Sequence, residues 1–175
     1  GLDDALPLDV GGHPGSLLDA LAIAGALVGA GEPPALVVVS DHIVSIDERV
    51  CDMLSAGAAA AFLVGASGGV ARLGASVRSS REVYDVWRLG TEAEARYRLE
   101  VLFDAYASTT RHALAALATA TERATADYAS VCASQPHPQT VRGLGKAGVG
   151  ADQLEHTSFV GEIGNLGAAS LGVAL

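Results

Sequence analysis

The stretch EIGNLGAASL, Glu162 to Leu171, sets an Asn between a glycine and an apolar run. An Asn there can donate its side-chain amide to a carbonyl oxygen, or it can cap the helix expected over Leu166–Leu175, since Asn is a favoured N-cap. The types alone leave both roles open. A second candidate lies in Gly11-Gly12-His13-Pro14-Gly15, a loop shaped either for a ligand or for a turn into the next helix. A third is His137, in Gln135-Pro136-His137-Pro138. Cys132 falls in an apolar stretch and reads as a small core residue. Cys51 sits among Asp47, Glu48 and Asp52, an acidic setting that disfavours a thiolate. The five histidines, 13, 42, 112, 137 and 156, show no metal-ligand spacing. Asp41-His42 ends an expected strand, where ligands gather in α/β folds. Tyr84, Trp87 and Arg88 form an aromatic and basic patch in YDVWR, which reads as a packed loop anchored by the single Trp. Gly143–Gly150 lacks the Lys and Ser/Thr ending of a phosphate loop.

The elements that must position these groups follow from the apolar pattern. Gly15–Gly31 is apolar on nearly every face and predicts a buried helix. ALVVVSD, Ala35–Asp41, is a continuous β-branched run and predicts a strand covered on both faces. Gly57–Gly65 predicts a second buried strand, and GVARLGASVRSS a third. Thr91–Ala124 carries apolar residues at three- and four-residue steps, Leu99, Leu102, Phe103, Tyr106, Leu114 and Leu117, and predicts a long helix with Glu92, Glu94, Arg96, Arg98 and Glu100 on its solvated face. DYASVCAS predicts a short buried strand, QTVRGLGKAG a helix stopped by Gly148, and HTSFVGEIGN a last strand-like entry to a helix near Asn165.

Half of the 175 residues are hydrophobic and only 5% are aromatic, with 21 Gly, which favours an α/β class with small residues at close contacts. A net charge of −9, from 11 Lys and Arg against 20 Asp and Glu, opposes nucleic-acid binding. No apolar run reaches the roughly 20 residues of a membrane span. With no basic and apolar leader and no CxxC, the sequence is expected to be cytoplasmic, without a disulfide framework or a metal site.

Taken in order, the glycine-rich turn and buried helix, ALVVVSD, SAGAAAAFLVG, YDVWR, the long helix, YASVCASQP and GEIGNLGAASL resemble the thiolase superfamily of condensing enzymes. The likeness is greatest to the hydroxymethylglutaryl-CoA synthase and β-ketoacyl-ACP synthase III branch. It implies a layered αβαβα sandwich of two similar halves, incomplete here, with residues 1–68 the remainder of the first half and 69–175 most of the second. The family's first and last strands would come from another chain or be absent. The family's nucleophilic Cys lies three residues before a Gly-Ser or Gly-Thr pair; here the pair is Gly15-Ser16, and Gly12 stands at the Cys position. The family's His precedes Gln-Pro, so its position is Ser134, or His137 if the match shifts by three residues. Gly164-Asn165 matches the family's Gly-Asn, whose Asn helps to hold a thioester oxygen.

The resemblance therefore implies a subunit that has lost its own nucleophile and supports acyl-thioester chemistry beside a thiolase-fold partner, as a homo- or hetero-oligomer. Coenzyme A or an acyl-carrier thioester would be substrate, with no bound cofactor. His13, Trp87 and Arg88 are the expected substrate contacts, with Arg78, Arg81, Arg88 and Arg142 the cations that would have to cluster around phosphates. Two rivals stand beside it: an active acyltransferase in which His13, His137 and Asn165 serve a thioester, and an interaction domain with no acyl pocket.

Overall fold

In a computed structural model of the protein, the structure describes residues 5–42, 55–87, 89–91 and 96–175. Cys51, Arg88, Glu92, Glu94 and the 47–49 charge run lie outside the described residues. The elements are α1 (Ser16–Gly29), β1 (Ala35–His42), β2 (Gly57–Val64), the two-residue strands β3 (Val86–Trp87) and β4 (Arg96–Tyr97), α2 (Leu99–Thr121), α3 (Pro138–Gly143) and α4 (Ser170–Ala174).

β1 and β2 pair antiparallel from Ala35 opposite Val64 to His42 opposite Gly57. The expected strands are there, yet two expectations are corrected: β1 is not covered on both faces, and β2, expected to be buried, alternates exposed and half-buried residues. Burial alternates along β1: Val37 and Val39 face α1, whereas Leu36 and Val38 are 64% and 62% exposed, joined on the same face by Leu63 of β2 at 75%. The continuous apolar run therefore supplies two apolar faces, of which the described residues cover one. α1 is one-sided too. Leu17, Leu21, Ala24 and Val28 are buried at steps of three and four, while Leu18 is exposed on the opposite side.

The first core joins distant parts of the chain. Leu17, Leu21 and Ala24 of α1 meet Val37 and Val39 of β1, and Leu166, Ala169 and Leu171 close over them from the C-terminal segment. A second core gathers Val141, Leu144, Val149 and Val160 against Tyr106 and Leu114 of α2.

Three expected strands are absent among the described residues. Gly69–Ser80 is irregular and almost wholly exposed, with Val70 projecting into solvent; with no strand beside it, its alternating pattern has no ladder to join. The DYASVCAS segment is extended but unpaired as a strand. It is held by single bonds: the Val131 N–H donates to the Gln153 carbonyl at 2.9 Å, and Thr157 Oγ1 donates to the Val131 carbonyl at 2.8 Å. HTSFVGEIGN turns instead of running straight because Gln135 intercepts its amides. The Gln135 Oε1 atom accepts from Phe159 N at 2.9 Å and Val160 N at 3.1 Å, and Nε2 donates to the Thr157 carbonyl. The long helix starts at Leu99, later than expected, since Arg96 and Tyr97 pair with Trp87 and Val86. The QTVRGLGKAG helix is α3 followed by a 3-10 turn over Leu144–Ala147, ending at Gly148.

Candidate functional site

A groove of about 520 Å³ lies between the Gly11–Pro14 loop, the start of α1, the length of β1 and Gly167-Ala168. Gly12 lines it with φ +108°, in the left-handed region. A side chain at that backbone geometry would be strained. The nearest hydroxyl on α1, Ser16, is buried and donates from Oγ to the His13 carbonyl at 2.5 Å.

His13 is held at both ring nitrogens. Nδ1 accepts the Gly15 N–H at 3.0 Å, and Nε2 meets Asp19 Oδ2 at 3.0 Å, so the neutral ring carries its proton on Nε2. Asp19 also pairs with Arg78, at 3.5 Å. Both ring nitrogens thus bond within the turn that opens α1.

Asn165 is anchored where β2 begins. Its main chain bridges Ser55, and its carbonyl accepts the Ala56 N–H at 2.9 Å. Its side-chain Oδ1 accepts the Gly167 N–H at 2.9 Å, closing a local turn one residue ahead of Leu166, which is the N-cap of the 3-10 turn Gly167–Ala169 in place of the expected Asn165 cap. This leaves the Nδ2 amide as the donor end of the same side chain. The next amide, Ala168 N–H, goes to Asp41 Oδ2 at 2.8 Å. Gly167, between them, has φ +55°, and a Cβ there would collide with the Asp41 carboxylate. Asp41 is the residue that spacing underplayed. The signal was its place at the end of β1, next to His42.

The other expected site residues lie elsewhere. His137 caps α3, its Nδ1 accepting the Gln139 N–H at 3.0 Å, and its ring packs 5.0 Å from Phe103 of α2. Partial burial, and then the nearby Arg142, hold its pKa below the usual histidine value. Ser134 contributes its carbonyl to the hydroxyl of Tyr106, whose pKa burial pushes up to about 12. Like Asn165, neither residue lines the groove. Trp87 lies under the Arg98 guanidinium, 5.5 Å from the ring centroid. A shallower hollow of about 440 Å³ opens nearby, lined by Arg81, Tyr84, Arg98 and Asp104 among others. Arg81 donates to Ser108 Oγ at 2.6 Å and Arg142 to the Pro138 carbonyl at 3.5 Å, so these cations serve local contacts. Cys132 donates from Sγ to the Ala174 carbonyl at 3.1 Å, and burial pushes its thiol up, away from a thiolate. Among the described residues no group of three His, Cys, Asp or Glu is placed to hold a metal ion, and no helix is long and apolar enough to cross a membrane.

No family model and no curated protein matches the sequence. Solved structures do. A structure described as HMG-CoA synthase complexed with CoA superposes over 95% of this chain with a TM-score of 0.76 at 20% identity. A second, described as MvaS in complex with 3-hydroxy-3-methylglutaryl coenzyme A, covers 97% of it with a TM-score of 0.70, also at 20% identity. The fold is thiolase-like. The chain spans about half the length of these structures, 46% of the first and 52% of the second, so the thiolase-like architecture is partial here, as the resemblance implied. The groove is formed by the Gly11–Pro14 loop, the start of α1, Val37–Asp41 of β1 and Gly167-Ala168.

Proposed function

We propose that this chain is a thiolase-fold, HMG-CoA synthase-like subunit that supports acyl-thioester chemistry without forming its own acyl-enzyme, and that it acts beside a catalytic chain of the same scaffold. One observation carries the reading: Gly12, at φ +108°, occupies the groove at the head of α1 where the condensing-enzyme pattern has its nucleophile. The substitutes nearby are engaged, since the Ser16 hydroxyl is bonded to the His13 carbonyl and both His13 nitrogens are taken. The reading assigns the thioester oxygen to the Asn165 amide, whose Oδ1 accepts the Gly167 N–H at the groove wall. A preorganised amide donor can bind a carbonyl oxygen without covalent catalysis. The compounds named with the two superposed structures, CoA and hydroxymethylglutaryl-CoA, make an acyl-CoA the first ligand to test.

The rival in which His137 joins Asn165 at the thioester draws no support from the arrangement. His137 faces Phe103 and caps α3, in the second core region and outside the groove.

The test is titration of the isotope-labelled chain with acetyl-CoA. The reading expects amide shifts at Gly12, His13, Gly167 and Ala168 that saturate, and an Asn165→Ala variant that keeps the fold but weakens binding. Shifts nowhere in this set, at millimolar ligand, would favour an interaction domain with no acyl pocket.

A further inference from the structure

Among the described residues, the groove wall from Val10 to Pro14 holds one titratable side chain, His13. Its neutral ring meets two demands at once. Nδ1 accepts the Gly15 N–H at 3.0 Å, and the Nε2 proton goes to Asp19 Oδ2 at 3.0 Å. The ring rests so closely on Gly15 that a Cβ there would lie 3.0 Å from Nδ1. The charged groups set against it are Asp19 of α1 and, through the other oxygen of that carboxylate at 3.5 Å, Arg78 of the segment 69–80.

Protonation makes the two demands incompatible. An imidazolium carries a proton on both nitrogens and has no lone pair left to accept. Its Nε2–H bond to Asp19 becomes charge-assisted and tightens. Its Nδ1–H then points at the Gly15 N–H, donor against donor, in a contact with no spare room. The ring must leave Gly15 while Asp19 still draws it, and Arg78 competes for the same carboxylate. What yields is set by the backbone. The His13 carbonyl stays pinned, since it accepts from Ser16 N at 3.0 Å and from Ser16 Oγ at 2.5 Å. Pro14 cannot turn about its φ. Gly11 and Gly12 have no atom within 4 Å of where a Cβ would stand, and Gly12 has the left-handed φ of +108° that glycine adopts freely. The adjustment therefore falls on residues 11–13, the outer wall of the groove.

We propose that His13 makes this wall acid-responsive: the neutral ring holds it in place, and protonating the imidazole releases the Gly15 amide and frees residues 11–13. As a control on acyl-thioester binding the inference rests on the reading above; the switch itself belongs to the chain without ligand. Histidine changes charge between about pH 5 and 8, a range in which carboxylates and guanidinium groups of ordinary character stay ionised.

The test follows the isotope-labelled full chain by NMR from about pH 8 to about pH 5, with no acyl-CoA present. The His13 ring nitrogens should report the Nε2–H tautomer at high pH and the doubly protonated ring at low pH. Over the same midpoint the Gly15 amide should lose its hydrogen-bonded shift and exchange about tenfold faster, after correction for the intrinsic effect of pH. Order parameters of Gly11 and Gly12 should fall with it, with Val37–Val39 of β1 unchanged. His13→Asn offers an acceptor oxygen to the Gly15 N–H and does not titrate, so the transition at residues 11–15 should vanish. Gly15→Ala suits the backbone there, at φ −84°, but crowds the ring, and should show the released wall already at about pH 8. A Gly15 amide that ignores titration of the ring, a transition that survives in His13→Asn, or a change spread evenly over the chain would overturn the proposal. Failure of acetyl-CoA to bind would count against the thioester reading alone and leave this result standing.

Discussion

Asp41 and Ala168, 127 positions apart, are joined by a 2.8 Å hydrogen bond from the Ala168 amide to the Asp41 carboxylate. With Asn165 Oδ1 on the preceding amide at 2.9 Å, it fixes the turn over Gly167 and Ala168. Removing the acceptor in Asp41→Ala should cost about 1–3 kcal/mol, since a half-buried amide is left unmet. Asp41→Asn keeps an acceptor and should recover most of that. Denaturant midpoints of the three proteins, together with the Ala168 amide shift, check it.

Gly167→Ala should be more damaging, because it adds strain at φ +55° to a collision with Asp41. A loss of about 2–3 kcal/mol is expected. The double variant Gly167→Ala with Asp41→Gly should lose less than the sum of the separate effects, as the collision is then removed.

Gln135 is 2% exposed and serves three backbone groups of residues 157–160. Gln135→Leu retains most of the volume and leaves those groups unmet in the interior. A drop of about 2–4 kcal/mol is expected in chemical unfolding, with faster amide exchange at Phe159 and Val160.

His137 gives a pH signature. Its pKa is lowered on folding, by partial burial and then by Arg142, so the unfolded chain binds more protons as pH falls past the usual histidine value. The contribution of His137 is thus complete above that value and is lost as pH falls through it toward the folded-state pKa. Protonation also removes the Nδ1 lone pair that caps α3. Melting temperature should therefore fall on acidification from about pH 7.5 to about pH 5.5, and His137→Asn, which keeps a capping oxygen, should flatten that part of the profile.

Ser170 predicts the opposite sign. Its hydroxyl is fully buried with no hydrogen-bond partner among the described residues. Ser170→Ala should be neutral or raise stability by up to about 1 kcal/mol in the same unfolding assay.

How far the sequence discloses this molecule depends on what satisfies each segment's backbone. β1, β2 and α1 were legible because their apolar content is dense and their partners are near in the chain. Gly69–Ser80 has the alternation of a strand without a neighbour to pair with, and alternation cannot report that. The segment after His156 reads as a strand until Gln135 is seen to take its amides, a contact between residues more than twenty positions apart. Gly12 and Asn165 came from the family pattern around Gly15-Ser16 and Gly164-Asn165; Gly12 lines the groove, whereas Asn165 reaches it only through its bond to Gly167. The bond from Asp41 to Ala168 was invisible, since nothing local marks it. The uncovered face of β1 was hidden for the same reason: a run apolar on both faces states what the strand needs and not whether a neighbour supplies it.

The central claim is that the groove takes an acyl thioester without covalent transfer to this chain. Intact-protein mass spectrometry after incubation with acetyl-CoA tests it most directly. The account predicts an unmodified mass under conditions where acetyl-CoA shifts the groove amides, and, when a catalytic partner is present, acylation on the partner. A stable acetyl adduct on this chain, mapped to Ser16, Cys51 or Cys132, would contradict it.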